Sequence, residues 1–128
     1  MKDLHIRKKY SDGTDENLKS SQTLTFLGKD SGFGEKNNSS YIEIENKLIL
    51  IDCGFTVFQQ VKEKFDFENY ETINIIITHL HNDHAGSLSQ LVLYLWFIHH
   101  KKVNIFSKCE YINNTYSIFR CIWFHSRN

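Results

Sequence analysis

Apolar positions along the chain fall into short runs separated by polar segments rich in glycine and asparagine. Thr23–Leu27 (TLTFL) is a β-rich run stopped by Gly28. Residues 28–40 (GKDSGFGEKNNSS) hold three glycines and two asparagines and read as a loop. Tyr41–Glu45 (YIEIE) alternates apolar and polar residues, which predicts a half-buried strand. Asn46-Lys47 makes a turn, and Leu48–Ile51 (LILI) is uniformly apolar, as in a strand buried on both faces. The two strands form a predicted hairpin. Residues 56–65 (TVFQQVKEKF) place Val57, Phe58, Val61 and Phe65 at helical spacing, with Thr56 positioned as an N-cap. Asn74–Thr78 (NIIIT) predicts a second buried strand and His79–Gly86 a loop. Leu88–Ile98 predicts a helix with Leu91, Leu95 and Ile98 in register, and Val103–Phe106 (VNIF) a final strand. Strands alternating with helices after an opening hairpin favour an α/β layered fold over an all-β sandwich.

Composition adds little to this picture. A chain of 128 residues fits one domain, here placed at residues 21–106. Residues 1–20 are a polar, charged lead-in, and residues 107–128 show no period and stay unassigned. Lys+Arg and Asp+Glu are 15 each, so no net field draws the chain to nucleic acid or membrane. Tyr94, Trp96 and Phe97 fall in a helix where core packing explains them, which leaves a nucleic-acid module with little support. Cys53, Cys109 and Cys121 make an odd set without motif spacing, a poor disulfide framework. The lead-in has no apolar signal segment. The longest apolar run, Leu91–Ile98, has eight residues against the roughly 20 that a membrane span needs. The expectation is a soluble, cytoplasmic protein with no membrane partner.

One segment carries chemistry. Thr78-His-Leu-His-Asn-Asp-His-Ala85 contains HxHxDH between a buried strand and a glycine. Imidazole nitrogen and carboxylate oxygen suit zinc, and the same set accepts manganese or iron. His79 and His81, two apart at a strand end, are placed to share a metal, and Asp83 and His84 to serve a second one nearby. A strand end that opens into a loop is also where open α/β sheets place ligands. With seven His and seven Asp in the chain, chance gives this pattern in about one such sequence per thousand. Gly32-Phe33-Gly34 resembles a phosphate-cradling turn only superficially, because it precedes a strand and not a helix; a plain connecting loop is the simpler reading.

The HxHxDH loop after an apolar strand resembles the signature of the metallo-β-lactamase superfamily. The upstream LILIDCG (Leu48–Gly54) is similar to that family's apolar strand ending in Asp-x-Gly. TFLG with NNSSY (Thr23–Gly28 and Asn37–Tyr41) looks most like its ribonuclease Z-like and small-hydrolase branches. The resemblance implies the N-terminal half of a four-layer αββα sandwich. It also implies His79 and His81 on one zinc ion, and Asp83 and His84 on a second, with Asp83 the catalytic residue. Asp52 would stand behind the loop as an orienting carboxylate, or else serve only as a strand-end turn former. Cys53 reads as packing.

The implied reaction is attack of metal-activated water on a phosphodiester, ester, thioester or lactam. Nucleic acid enters as a substrate only through the resemblance, and oligomeric state is not implied. The alternative is a truncated, non-catalytic fragment with weak or no metal binding. Members of the superfamily supply further ligands from a second half. After His84 this chain offers only His99 and His100, read as surface residues at a helix end, and His125. Its end therefore reads as truncated or out of frame.

Overall fold

A computed structural model describes residues 4–5 and 23–108. Its core is a five-stranded mixed sheet of β2 (Thr23–Gly28), β3 (Ser39–Ile44), β4 (Lys47–Ile51), β5 (Thr72–Ile77) and β6 (Val103–Ser107). A two-residue strand, β1 (Leu4–His5), extends the edge beside β2. Strand order follows the sequence from β1 to β6. The pairs from β1 to β4 are antiparallel, and β4–β5 and β5–β6 are parallel. Parallel neighbours need long crossovers. Here α1 (Val57–Lys64) with a 3₁₀ turn (Phe67–Asn69) supplies the first, and α2 (Asn82–Ala85) with α3 (Leu88–His99) the second.

Register explains the core. Leu48, Ile73 and Val103 share one rung, and Leu50, Ile75 and Ile105 the next but one. On this face Leu48, Leu50, Ile73, Ile75 and Ile77 are buried and pack with Val57, Phe58 and Val61 of α1 and Leu91 and Leu95 of α3. Tyr41, Phe65, Phe67 and Tyr70 close the end of this layer through edge-on and tilted ring contacts at centroid distances of 4.9–6.3 Å.

The opposite face differs from the sequence expectation. LILI and NIIIT read as buried on both faces, yet Ile49 and Ile51 are only half-buried, Ile76 is 38% exposed and Phe106 56%. Helices cover one side of the sheet only, among the described residues. An all-isoleucine run hides this, because its apolar character is the same on both faces.

Other departures are local. Thr56 stands at the N-cap of α1 but makes no capping bond; its Oγ1 accepts from the N–H of Asn37 at 2.8 Å instead. Turn geometry sits on Glu45, at φ 54°, so β4 begins at Lys47. The predicted loop 79–86 contains the one-turn helix α2. Ile98, expected in the core, is 61% exposed, while Val92 is buried. Helix α3 ends on His100 in the left-handed region, with the N–H of His100 on Trp96 O and that of Lys101 on Leu95 O, which closes its last carbonyls. Leu4 and His5 lie in a strand and not in a lead-in. The rest of the lead-in, Cys109, Cys121, His125 and the tail past residue 108 lie outside the described residues. No described helix is long and apolar enough to cross a membrane.

The two faces make a testable contrast. Ile75→Ala on the helix-covered face should cost about 2–5 kcal/mol in urea denaturation, and Phe106→Ser on the open face within about 0.5 kcal/mol. Equal losses would contradict the one-sided core.

Candidate metal centre

The candidate ligands stand where the C-terminal ends of β4 and β5 meet α2. Strand β4 ends in Asp52-Cys53-Gly54, and Asp52 adopts φ 63°, a left-handed conformation that Asp tolerates better than most side chains. That turn is tied to both neighbours. The Asp52 N–H donates to Ile76 O at 2.8 Å and the Cys53 N–H to His84 O at 2.8 Å. Gly54 is required, because a Cβ there would lie 2.0 Å from the backbone oxygen of Asp83. Ser87, buried at the head of α3, bonds Gly54 O and the N–H of Phe58 through its hydroxyl.

Asp52 is 5% exposed, and a buried carboxylate needs partners. It accepts from the Thr78 N–H at 2.8 Å and from the Thr78 hydroxyl at 2.7–2.9 Å. Its Oδ2 lies 2.7 Å from His84 Nδ1. Since a carboxylate only accepts, Nδ1 of His84 carries a proton, and in the neutral ring Nε2 keeps its lone pair. The same logic extends one bond further. The Thr78 hydroxyl donates its hydrogen to Asp52, so at its 3.0 Å contact with His79 Nδ1 it accepts. His79 is then also an Nδ1–H tautomer with a free Nε2. One buried carboxylate thus sets two imidazoles for metal ligation.

His79, Asp83 and His84 offer ligand atoms that all lie within 4.8 Å of one another. Nε2 of His84 is 3.3 Å from Asp83 Oδ2. With Nδ1–H given to Asp52, Nε2 faces the Asp83 carboxylate either as the N–H of a protonated ring or as a lone pair beside a shared cation. Ligand atoms bound about 2.0–2.2 Å from a tetrahedral zinc stand roughly 3.3 Å apart, so the spacing suits a metal. His79 and His84 have ring centroids 4.0 Å apart.

The grouping differs from the sequence expectation. His79 joins Asp83 and His84, and His81 stands outside that set, although its ring centroid is 4.7 Å from that of His79. His81 caps α2, and that one turn of helix swings Asp83 and His84 back towards His79. Among the described residues no other cluster of this kind occurs. His99 is not a free surface residue: Nδ1 contacts Glu68 at 2.9 Å and Nε2 the Tyr94 hydroxyl at 3.2 Å. That contact holds the Glu68 carboxyl below its usual range. His100 is exposed. Burial pushes the Cys53 thiol up to about 12, with the Ser87 hydroxyl only partly opposing, so the thiol stays protonated and packs.

Three residues carry weight that the sequence reading did not assign. Thr78 relays Asp52 to His79. Asn37, fully buried, exchanges two bonds with Thr56 and anchors the 28–40 loop. Ser87 joins three segments. The only sequence signal for Thr78 is its place between the strand and the first histidine.

A family model for the anti-Pycsar protein Apyc1 matches residues 22–118. An Apyc1 protein of Bacillus phage 010DV004 is 36% identical over 84 residues, which are 63% of this chain and 32% of that protein. One from Bacillus phage vB_BsuM-Goe3 is 38% identical over 79 residues, 59% of this chain and 30% of the relative. One from Paenibacillus harenae is 28% identical over 85 residues, 65% and 35% of the two chains. The chain thus spans about a third of the length of the curated relatives it matches. The crystal structure of the human short-form tRNase Z is similar at 28% identity and TM-score 0.46, over 54% of this chain and 27% of that one.

These matches correct the assignment to the metallo-β-lactamase superfamily, and with it the zinc-hydrolase function. The family model and the curated relatives are anti-Pycsar proteins. HxHxDH and the Asp-x-Gly strand report a way of placing ligands, and function is not fixed by such a frame.

The tautomer relay has a direct consequence. Asp52→Ala should weaken zinc or cobalt binding by about 10–100-fold. Asp52→Asn keeps a side chain suited to the left-handed backbone and should lose less. Unchanged affinity in titrations of Asp52→Ala would remove its orienting role.

Proposed function

The chain belongs to the Apyc1 family of anti-Pycsar proteins, and from that premise we propose that it acts against Pycsar as the metal-holding part of a larger unit. His79, Asp83 and His84 hold one transition-metal ion, zinc in the first instance with manganese or iron as alternatives. Asp52 and Thr78 hold their tautomers. The convergence of these three side chains within 4.8 Å carries the reading. On its own this part is non-catalytic. Three ligands, one of them on an exposed histidine, leave one position of a tetrahedral ion open, and the described residues bring no second group to complete a reaction centre.

The fold supports the same view. The open sheet face carries Ile49, Ile51, Ile76 and Phe106, and exposed apolar area of that kind marks a surface that another layer covers. The sheet with helices on one side is read as half of a four-layer αββα sandwich.

Three measurements test this. In cobalt titrations followed by absorption, the chain should bind about one equivalent. His79→Ala and His84→Ala should each lose at least the roughly 10–100-fold expected for an outer partner, and His81→Ala less. The metal-loaded chain should turn over model phosphodiesters no faster than its His79→Ala variant. Expressed alone in cells carrying Pycsar, it should leave Pycsar unimpaired where a full-length phage relative impairs it. Metal-dependent turnover, or a larger loss for His81→Ala than for His84→Ala, contradicts the reading.

A further inference from the structure

The three candidate ligands are not held alike. His84 is oriented by Asp52 and His79 by Thr78, each through a ring nitrogen. Among the described residues, the polar group that meets the Asp83 carboxylate is Nε2 of His84, at 3.3 Å. Both sit on the same single turn of helix, so that contact ties Asp83 to neither strand. An aspartate side chain chooses among staggered χ1 wells, and a ligand binds best when the right well is filled before the ion arrives. Something other than a hydrogen bond to the strands must select it.

The 28–40 loop is in place to do so. A Cβ on Gly32 would stand 3.7–3.8 Å from Cβ, Cγ and Oδ2 of Asp83, so the loop backbone walls one side of the carboxylate. Residues 31–33 are exposed, and a surface turn needs a tether to hold that position. The tether is one residue back, at Ser31, whose carbonyl accepts from Nδ2 of Asn37 at 3.3 Å. Asn37 is fully buried, and its amide can face only one way. Oδ1 accepts the Thr56 N–H at 3.1 Å, which leaves the Nδ2 hydrogens for Ser31. The Asn37 N–H donates to Thr56 Oγ1 at 2.8 Å and fixes the residue to the start of α1. A Cβ on Gly54 would stand 3.0 Å from that of Asn37, so the amide is also seated on the turn that receives the Asp83 backbone oxygen.

We propose that Asn37 is a positioning residue for Asp83. Its amide holds the Ser31 carbonyl, and through it Gly32, against the carboxylate, and so keeps Asp83 in the rotamer that faces His84 Nε2. Asn37 itself touches no ligand atom. Its effect on metal affinity rests on the cluster holding an ion; its effect on the Asp83 rotamer does not.

The metal-free chain tests the rotamer directly. Three-bond Hα–Hβ couplings of Asp83 should report one χ1 well in the wild type and averaged wells in Asn37→Ala. Asn37→Asp keeps the acceptor for Thr56 and loses the donor to Ser31, and should average them too. Gly34→Ala places a Cβ onto that of Asp30, which lifts the turn without altering Asn37. It should have the same effect, and it decides the matter if the buried Asn37 variants do not fold. Ile75→Val, which loosens the core alone, should leave one well. In cobalt titrations Asn37→Ala should bind about 10-fold more weakly, and that loss should vanish in an Asp83→Ala background. Averaged couplings in the wild type, or a single well retained in Asn37→Asp and Gly34→Ala, overturns the role. So does an affinity loss that persists undiminished without the Asp83 side chain, which would make Asn37 structural only. If the wild type binds no cobalt, the metal reading fails, and the couplings still decide whether Asn37 positions Asp83.

Discussion

The buried carboxylate of Asp52 joins the end of β4 to Thr78 and His84, and the metal cluster depends on that junction. Its oxygens receive the Thr78 N–H, the Thr78 hydroxyl and the His84 ring. A charge with so little access to water stays only where such donors converge. The same bonds orient the donors. His84 gives up Nδ1–H and turns Nε2 outward, and Thr78 passes the constraint to His79. The left-handed backbone at Asp52 aims the side chain across at β5, and Gly54 lets α2 pack against the turn.

The sheet makes that junction possible. Parallel pairing of β4 with β5 sets Ile51 opposite Ile76, so the strands end together and Asp52 reaches the first residue beyond Ile77. The one-sided helical layer anchors both strands through Leu48, Leu50, Ile73 and Ile75. Helix α2, a single turn, returns Asp83 and His84 to the strand end. The resulting site is rigid at Asp52 and Thr78 and more open at His79, which is exposed. The 28–40 loop is fastened to the start of α1 through Asn37 and Thr56.

Much of this was legible in the chain. The alternation of YIEIE, the helical spacing of Val57, Phe58 and Val61, and the ligand types of HxHxDH each follow from one local rule, and the α/β fold class follows from their order. What stayed hidden depends on contacts distant in sequence. Uniform isoleucine runs carry no mark of which face the helices cover. Nothing local shows that His81 becomes a helix cap while His79 joins Asp83 and His84. Thr78 and Asn37 owe their roles to partners 26 and 19 residues away. Function is hidden for a different reason: a ligand motif describes coordination chemistry, and coordination chemistry is shared by proteins that do different things.

The tautomers of His79 and His84 are the most direct test of the central claim, that Asp52 sets the ligands. Long-range ¹H–¹⁵N spectra of the metal-free chain read them without any assay of function. Both rings should carry a proton on Nδ1, and addition of zinc should move the Nε2 resonances while Nδ1 stays protonated. An Nε2–H tautomer at His84 in the metal-free chain, or zinc-induced shifts at Nδ1 in its place, would contradict it.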